Sequence, residues 1–259
     1  LLVGHGTRDP NGTVEFFRLA EVLSKRITPF PVAACLLEFQ HPTIPEAWAS
    51  LVEQGCRNIR VAPLLLFAAG HARTDIPDAV AECAMTTPHV SYSQSGPLSR
   101  AAPIIDLLCT RIKQCAERAN WGWQNRSGQS TTLVMVGRGS YDVCAKSDMH
   151  VLGEIVARRC RMRNHYTGFY AMAEPKLPDV LDQAAQQSAN RPGASRVLVQ
   201  PHLLFQGRLY DAIRSQVDQA AERHPDVEFA VGDYLGPVEE VAEALAARAE
   251  VGHRKSVAS

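Results

Sequence analysis

Two histidines in the first half of the chain each follow an apolar, strand-like run. His5 stands between two glycines after L-L-V-G, and His71 closes the run V-A-P-L-L-L-F-A-A-G-H. Glu38 follows a third run, V-A-A-C-L-L. The turns after neighbouring parallel strands gather at one edge of a sheet, so these three side chains are expected to meet there. Two imidazoles and one carboxylate can bind a borderline divalent metal ion while leaving coordination positions open, which favours a metal held briefly and released.

Either histidine alone would fit a turn residue that hydrogen-bonds to a neighbour at least as well as a metal ligand. The pair favours a shared site because an internal repeat carries arginine at both corresponding positions. The other histidines lack this setting and are interpreted as surface or packing residues: His41, His89, His150, His165, His202, His224 and His253. Two of these interpretations stay open, since His202 follows Pro201 on a strand expected to be buried and His41 lies close to Glu38 in the chain.

The internal repeat is visible at three places. L-L-V-G-H-G-T-R-D at the start of the chain returns as L-V-M-V-G-R-G-S-Y-D, which places Arg138 opposite His5 at an offset of 133 residues. The same offset carries H-P-T-I-P-E, residues 41–46, onto E-P-K-L-P-D, residues 174–179. With one residue gapped, V-Q-P-H-L-L-F-Q-G-R places Arg208 opposite His71. This duplication predicts two similar lobes with one chemical site between them.

Four arginines fall on the same class of turn after a strand: Arg8, Arg73, Arg138 and Arg208. Guanidinium binds carboxylates through two parallel hydrogen bonds and keeps its charge at any physiological pH. Each arginine alone fits a solvated turn residue equally well. Together at one rim, the four would suit a ligand that carries many carboxylates.

The elements that position these residues follow from alternating apolar and amphipathic runs, which are typical of an α/β fold with parallel sheets flanked by helices. The predicted strands are residues 1–4, 32–37, 59–67 and 90–93 in the first half, and 133–136, 167–171, 196–201 and 227–231 in the second. Helices are predicted between them, including one that Thr43 and Glu46 open as a capping box. A helix from about Ser99 to Ala119 and a last one from Pro237 to about Glu250 complete the two halves.

The boundary between the lobes is predicted at residues 120–132, N-W-G-W-Q-N-R-S-G-Q-S-T-T, because this stretch is polar, contains glycine and has no period. Residues 1–119 then form an N-terminal lobe with the metal-binding histidines, and residues 133–259 form a C-terminal lobe. Each lobe is expected to be a parallel sheet flanked by helices.

Composition limits the classes of partner. The 27 basic and 27 acidic residues cancel, so no global field attracts nucleic acid or an anionic membrane. The longest apolar runs fall far short of the roughly 20 residues that cross a bilayer. No signal-peptide pattern is visible, and seven scattered cysteines without a C-x-x-C pair are typical of a reducing compartment. A cytoplasmic protein that binds neither nucleic acid nor membrane is expected.

Nucleotide and flavin chemistry find little support in the motifs. The two G-x-G turns do not extend to G-x-G-x-x-G, and no P-loop lysine follows them. A flavodoxin-like electron carrier would need a hydroxyl-rich phosphate loop after the first strand, and Gly4 to Pro10 do not resemble one. A histidine phosphatase would need arginine before the histidine, where this chain has Gly4.

At these residues the chain resembles the sirohydrochlorin chelatases of the CbiX and SirB type. The resemblance covers both halves and rests on H-G-T-R-D-P from His5, L-E-x-x-x-P-T-I from Leu37 and V-A-P-L-L-L-F-A-A-G-H-A-R-T-D-I-P from Val61. It implies two flavodoxin-like lobes that face each other across a tetrapyrrole cleft, with His5 and His71 as metal ligands and Glu38 as a nearby acid. It also implies that no ATP and no permanently bound cofactor are needed.

The resulting hypothesis is insertion of cobalt(II), or alternatively iron(II), into sirohydrochlorin, with the arginines binding the carboxylates of the tetrapyrrole. Imidazole and carboxylate accept both ions, so the sequence does not decide between them, although cobalt is slightly favoured. A non-catalytic carrier of metal or tetrapyrrole on the same scaffold is the alternative. Since the duplication imitates a dimer, a monomer or a homodimer is expected.

Overall fold

The computed structural model of the chain describes residues 1–7, 9–67, 74–122, 131–189 and 195–250. Its strands are β1 (Leu2–Gly4), β2 (Ala34–Leu36), β3 (Asn58–Pro63), β4 (Ser91–Gln94), β5 (Thr131–Gly137), β6 (Asn164–Phe169), β7 (Arg196–Pro201) and β8 (Glu228–Val231). Its helices are α1 (Pro10–Arg26), α2 (Ile44–Glu53), α3 (Asp75–Thr86), α4 (Ala102–Arg118), α5 (Val143–Arg159), α6 (Leu177–Ala189), α7 (Arg208–Arg223) and α8 (Glu239–Arg248). Over these residues, no helix is both long and apolar enough to cross a membrane.

Packing divides the chain into two compact units. The first comprises Leu1–Pro103 and the residues from Gly236 onwards, and the second comprises Ile104–Leu235. The first contains a sheet of order β2-β1-β3-β4, and the second contains a sheet of order β6-β5-β7-β8. All strand pairs are parallel. Each sheet has the order of the first four strands of a flavodoxin-like fold, which confirms the predicted fold class.

Side chains alternate across the first sheet, as expected for strands buried on both faces. Val3 packs with the apolar residues of α2 and α3, among them Trp48, whose indole Nε1 donates a hydrogen bond of 3.0 Å to Thr87 Oγ1. The two helices α1 and α8 pack against each other in the same unit. Arg26 of α1 forms ion pairs there with Glu239 and Glu243.

The second sheet has a longer central strand, which is also buried throughout. Every residue of β5 is buried, and Val134 and Val136 share a core with α6 and α7. Helix α4 belongs to this unit from Ile104 onwards. Its Arg118 pairs with Asp233 at 2.8 Å, beyond the end of β8.

The grouping of the terminal helices differs from the predicted division at residues 120–132. Helix α4, which follows the first four strands in the chain, packs in the unit of the second sheet, and α8, which follows the last four, packs in the unit of the first. The apolar period of a helix predicts which face is buried but not which sheet covers it. Most of the predicted linker, residues 123–130, lies outside the described part of the chain.

Strand β3 ends earlier than predicted. The apolar run suggested a strand to Phe67, but β3 ends at Pro63. Leu64 still donates its N–H to Val3 O at 2.8 Å, and the chain then turns, since Leu65 N–H donates back to Pro63 O at 3.0 Å. Leu65 and Leu66 are held instead by backbone bonds from Leu98 and Ser99. The apolar run therefore continues past the strand into a segment that is held by a neighbouring loop rather than by strand pairing.

Candidate metal and tetrapyrrole site

His5 and Glu38 lie on adjacent turns at the carboxyl edge of the first sheet. Gly4 and Leu36 are partners in the β1–β2 register, so the residues that follow them leave the sheet side by side. The N–H of Glu38 donates to His5 O at 3.1 Å. Both residues are half-buried. The backbone segments that carry the predicted imidazole and carboxylate are therefore adjacent.

Gly6 makes this close approach possible. It adopts a φ of 95°, in the left-handed region that side chains disfavour. The carbonyl oxygen of Glu38 lies so close to Gly6 Cα that a Cβ there would overlap it. The second glycine, Gly4, faces Phe16 and Leu36 at distances that also leave no room for a side chain. The two glycines flanking His5 thus let the turn after β1 sit directly against the turn after β2.

The second unit repeats this turn with different chemistry. Gly139 has a φ of 94° and faces Ala171 O as Gly6 faces Glu38 O. Ala171 N–H donates to Arg138 O at 2.9 Å, which corresponds to the bond from Glu38 to His5. Arginine thus takes the place of the histidine, as the repeat predicted, and alanine takes the place of Glu38. The second copy of the turn therefore has neither the imidazole nor the carboxylate.

Arg138 and Arg208 follow the neighbouring strands β5 and β7 at the carboxyl edge of the second sheet. Arg208 is the first residue of α7, and both side chains are exposed. Neither guanidinium forms an ion pair with any residue that the structure describes. Two exposed guanidinium groups at the same sheet edge can bind carboxylates from solvent.

Three predicted site residues, His71, Arg8 and Arg73, lie outside the described residues. Within residues 1–7, 9–67, 74–122, 131–189 and 195–250, no group of three or more His, Cys, Asp or Glu side chains is placed to hold a metal ion. A complete ligand set consequently needs at least one donor beyond His5 and Glu38. His71 remains the predicted one.

The position of His41 is explained by the helix that follows it. Its Nδ1 lies 2.9 Å from Glu46 Oε2, and its side chain is 80% exposed. Glu46 also accepts hydrogen bonds from the backbone N–H and hydroxyl of Thr43, which confirms the predicted capping box. The Thr43 N–H bond, together with His41, lowers the pKa of Glu46 to about 2. His41 therefore contacts the start of α2.

His202 is buried in the second unit. It is 2% exposed. Its backbone N–H donates to Val136 O at 2.8 Å, as the backbone N–H of Leu64 does to Val3 O in the first unit. Burial lowers the pKa of its imidazole to about 3. This burial fits the interpretation as a packing residue, and the shared backbone bond shows that His202 takes the position of Leu64 in the repeat.

This burial predicts an acid-sensitive contribution to stability. Below pH 6.5 the unfolded chain binds a proton at His202 that the folded chain does not, so stability is fully present above about pH 6.5 and falls toward pH 3. The slope from this group is about 1.4 kcal/mol per pH unit. In urea unfolding at pH 7, 6 and 5, His202→Leu should lose this slope, whereas His89→Leu, at an exposed position, should keep it. An equal slope in His202→Leu and the parent would contradict the assignment.

A cavity of about 840 Å³ in the first unit lies away from these residues. It is lined by Leu1, Phe30 and Asn58, which precede or begin strands, and by residues of α1 and α8. It therefore lies at the amino edge of the sheet, opposite to His5 and Glu38, and is not part of the candidate site.

One exposed residue next to the candidate site was not predicted from the sequence. Phe39 directly follows Glu38, has a φ of 71° and is 55% exposed. A phenylalanine between a candidate acid and a proline-containing turn is the only sequence signal, and it does not show whether the ring is buried.

The fold and the turns at the two sheet edges define an α/β protein made of two related chelatase-like units. The family model for CbiX matches residues 1–115 and 132–251. The chain therefore belongs to the CbiX family. The match covers both halves of the internal repeat.

Relatives of this chain carry chelatase names. It is 27% identical over 252 residues to the sirohydrochlorin cobaltochelatase of Priestia megaterium, covering 97% of this chain and 79% of that protein. It is 28% identical over 236 residues to the sirohydrochlorin ferrochelatase of the same organism, covering 91% and 83%. The solved structure of SirB from Bacillus subtilis with Fe³⁺ superposes with a TM-score of 0.83 at 26% identity, covering 96% of this chain and 92% of that one.

Proposed function

We propose that this protein inserts a divalent metal ion into sirohydrochlorin without ATP, as a metal-inserting lyase. The observation that carries the proposal is the pairing of His5 and Glu38 on adjacent turns, with arginine and alanine in their places in the second unit. The names of the relatives support the reaction. The metal substrate is cobalt(II), which we favour, or iron(II), and the product would serve cobalamin or sirohaem biosynthesis. No permanently bound cofactor is required.

The chemistry asks for a group that is both a ligand and a base. Insertion removes two pyrrole N–H protons while the metal ion leaves its water ligands and binds the ring nitrogens. A neutral imidazole can donate its lone pair to the metal and later accept a proton. We assign the metal to His5 and His71, and we assign Glu38 to support the metal or accept a proton from the ring.

The second unit would supply substrate binding. We propose that Arg138 and Arg208 bind carboxylates of the tetrapyrrole, because both side chains are exposed at the carboxyl edge of the second sheet. Arg8 and Arg73 are proposed for the same role in the first repeat. Guanidinium contacts at the rim would orient the macrocycle without taking part in proton transfer.

The test is the visible spectrum of sirohydrochlorin mixed with the purified protein and cobalt(II) or, without oxygen, iron(II), with no ATP. We expect the spectrum of the metal complex to form faster than in a mixture without protein, and the relative rates would indicate the preferred metal. Binding of sirohydrochlorin without acceleration would instead favour a carrier of metal or tetrapyrrole. A protein that neither binds sirohydrochlorin nor accelerates metal insertion would contradict the proposal.

We further propose that the reaction takes place in the cytoplasm, independently of nucleic acid and of membrane, with the protein as a monomer or homodimer. The seven cysteines are free thiols, which fits a reducing compartment. The balanced charge gives no attraction to a polyanionic surface.

A further inference from the structure

Exposed apolar side chains accumulate at the carboxyl edges of both sheets. Among the described residues, the large apolar side chains that are more than half exposed at these edges are Val14 and Phe39 in the first unit and Tyr141 and Val143 in the second. Their exposed fractions run from 55% for Phe39 to 84% for Tyr141. In the first unit, the exposed ring of Phe39 directly follows the candidate acid Glu38, and an exposed apolar side chain beside a candidate site is typical of a ligand with an apolar surface.

Phe39 lies in a turn that several hydrogen bonds hold in place. Its φ of 71° lies in the left-handed region, where a phenylalanine is uncommon. The turn is fixed on both sides, because Glu38 N–H donates to His5 O and Gln40 N–H donates to Glu38 O at 3.0 Å. Thr13 Oγ1 also donates to Gln40 Oε1 at 2.7 Å, which ties the turn to the start of α1. The backbone thus holds the Phe39 ring in a partly exposed position beside Glu38.

The second unit shows that the backbone geometry itself does not call for an aromatic residue. Met172 corresponds to Phe39 in the repeat and also has a positive φ, 58°. It follows Ala171, whose carbonyl faces Gly139 as that of Glu38 faces Gly6. The same turn therefore forms with a side chain that is not aromatic. The aromatic ring is specific to the unit that carries His5 and Glu38.

We propose that the Phe39 ring packs against the conjugated face of the tetrapyrrole substrate and so positions the macrocycle next to His5 and Glu38. The inference rests on the proposed function. A tetrapyrrole is flat and apolar across its face and anionic at its rim, so an aromatic contact on the face complements arginine contacts at the rim. Offset stacking and apolar contact of one phenyl ring contribute about a tenfold gain in affinity.

The test compares substitutions that keep or remove the ring while preserving the turn. Phe39→Asn tolerates the left-handed backbone but offers no aromatic face, whereas Phe39→Tyr keeps the ring. The control is Phe30→Asn, because Phe30 is also half-exposed, at 53%, but lies at the amino edge of the same sheet. Thermal unfolding of all variants establishes that they are folded.

Metal-free sirohydrochlorin is titrated into each protein and followed by absorbance, and cobalt(II) is titrated separately. We expect the Kd for sirohydrochlorin to rise about tenfold in Phe39→Asn and to stay within about twofold in the other two variants. The affinity for cobalt(II) alone should not change. Equal sirohydrochlorin affinity in Phe39→Asn and the parent would overturn this inference but not the proposed function. A parent protein that does not bind sirohydrochlorin would overturn both.

Discussion

Replacing His5 by alanine is expected to reduce metal insertion at least about 100-fold, because the substitution removes a ligand and a base at the same atom. The fold should persist, since the His5 side chain is only half-buried and its backbone carbonyl, which accepts the bond from Glu38, remains. The measurement is the initial rate of cobalt insertion at saturating sirohydrochlorin, together with a cobalt(II) titration. His71→Ala is expected to behave in the same way.

Two matched controls separate this role from a general effect of losing an imidazole. His89→Ala removes an exposed histidine next to the amino end of β4, at the opposite edge of the same sheet. His41→Ala removes a histidine close to Glu38 in the chain whose ring contacts Glu46. Both should retain insertion rates close to that of the parent. Undiminished turnover in His5→Ala, with the fold intact, would remove His5 from the mechanism.

Replacing Gly6 by alanine is expected to cost more than about 3 kcal/mol of unfolding free energy. About 1 kcal/mol comes from forcing a side chain into the left-handed region, where Gly6 has a φ of 95°. The rest comes from overlap between the new Cβ and Glu38 O, a backbone atom that cannot move without separating the turns after β1 and β2. The measurement is urea unfolding followed by circular dichroism. Because the turn also carries His5, insertion should fall as well.

Gly55→Ala provides the matched control for the backbone term. Gly55 has a φ of 85°, and a Cβ there would meet no atom within 4 Å. Its substitution should therefore cost only about 1 kcal/mol. Gly139→Ala should resemble Gly6→Ala, since its Cβ would overlap Ala171 O in the second unit. Equal losses of unfolding free energy in Gly6→Ala and Gly55→Ala would show that overlap with Glu38 O does not destabilise the protein.

Much of the fold was predictable because it depends on local patterns. Apolar runs located all eight described strands, and Thr43 and Glu46 predicted the start of α2, since a capping box involves residues only three positions apart. The offset between the repeats also predicted that the turn at Gly6 would recur at Gly139, and the two φ values differ by only 1°. Both turns need a backbone conformation that favours glycine, so both copies of the repeat have glycine at this position.

The candidate site was predictable in part. His5 was predicted to lie near Glu38 because turns that follow parallel strands share one edge of the sheet. The structure places the two residues on adjacent turns. No sequence pattern indicated that Phe39 would be exposed in a left-handed conformation, because that conformation arises in a turn that packs against the turn after β1. The environment of His202 also needed the tertiary structure, since burial rather than any neighbour in the chain lowers its pKa.

The sequence by itself thus determined the class of fold, the duplication and the residue types at the two sheet edges. Only the tertiary structure decided that α4 packs in the unit of the second sheet and α8 in that of the first, and that β3 ends at Pro63. The physical reason is the range of the interactions. Helix caps, turns and strand periodicity are fixed by neighbours in the chain, whereas the sheet that buries a helix is selected by packing between segments far apart in the sequence.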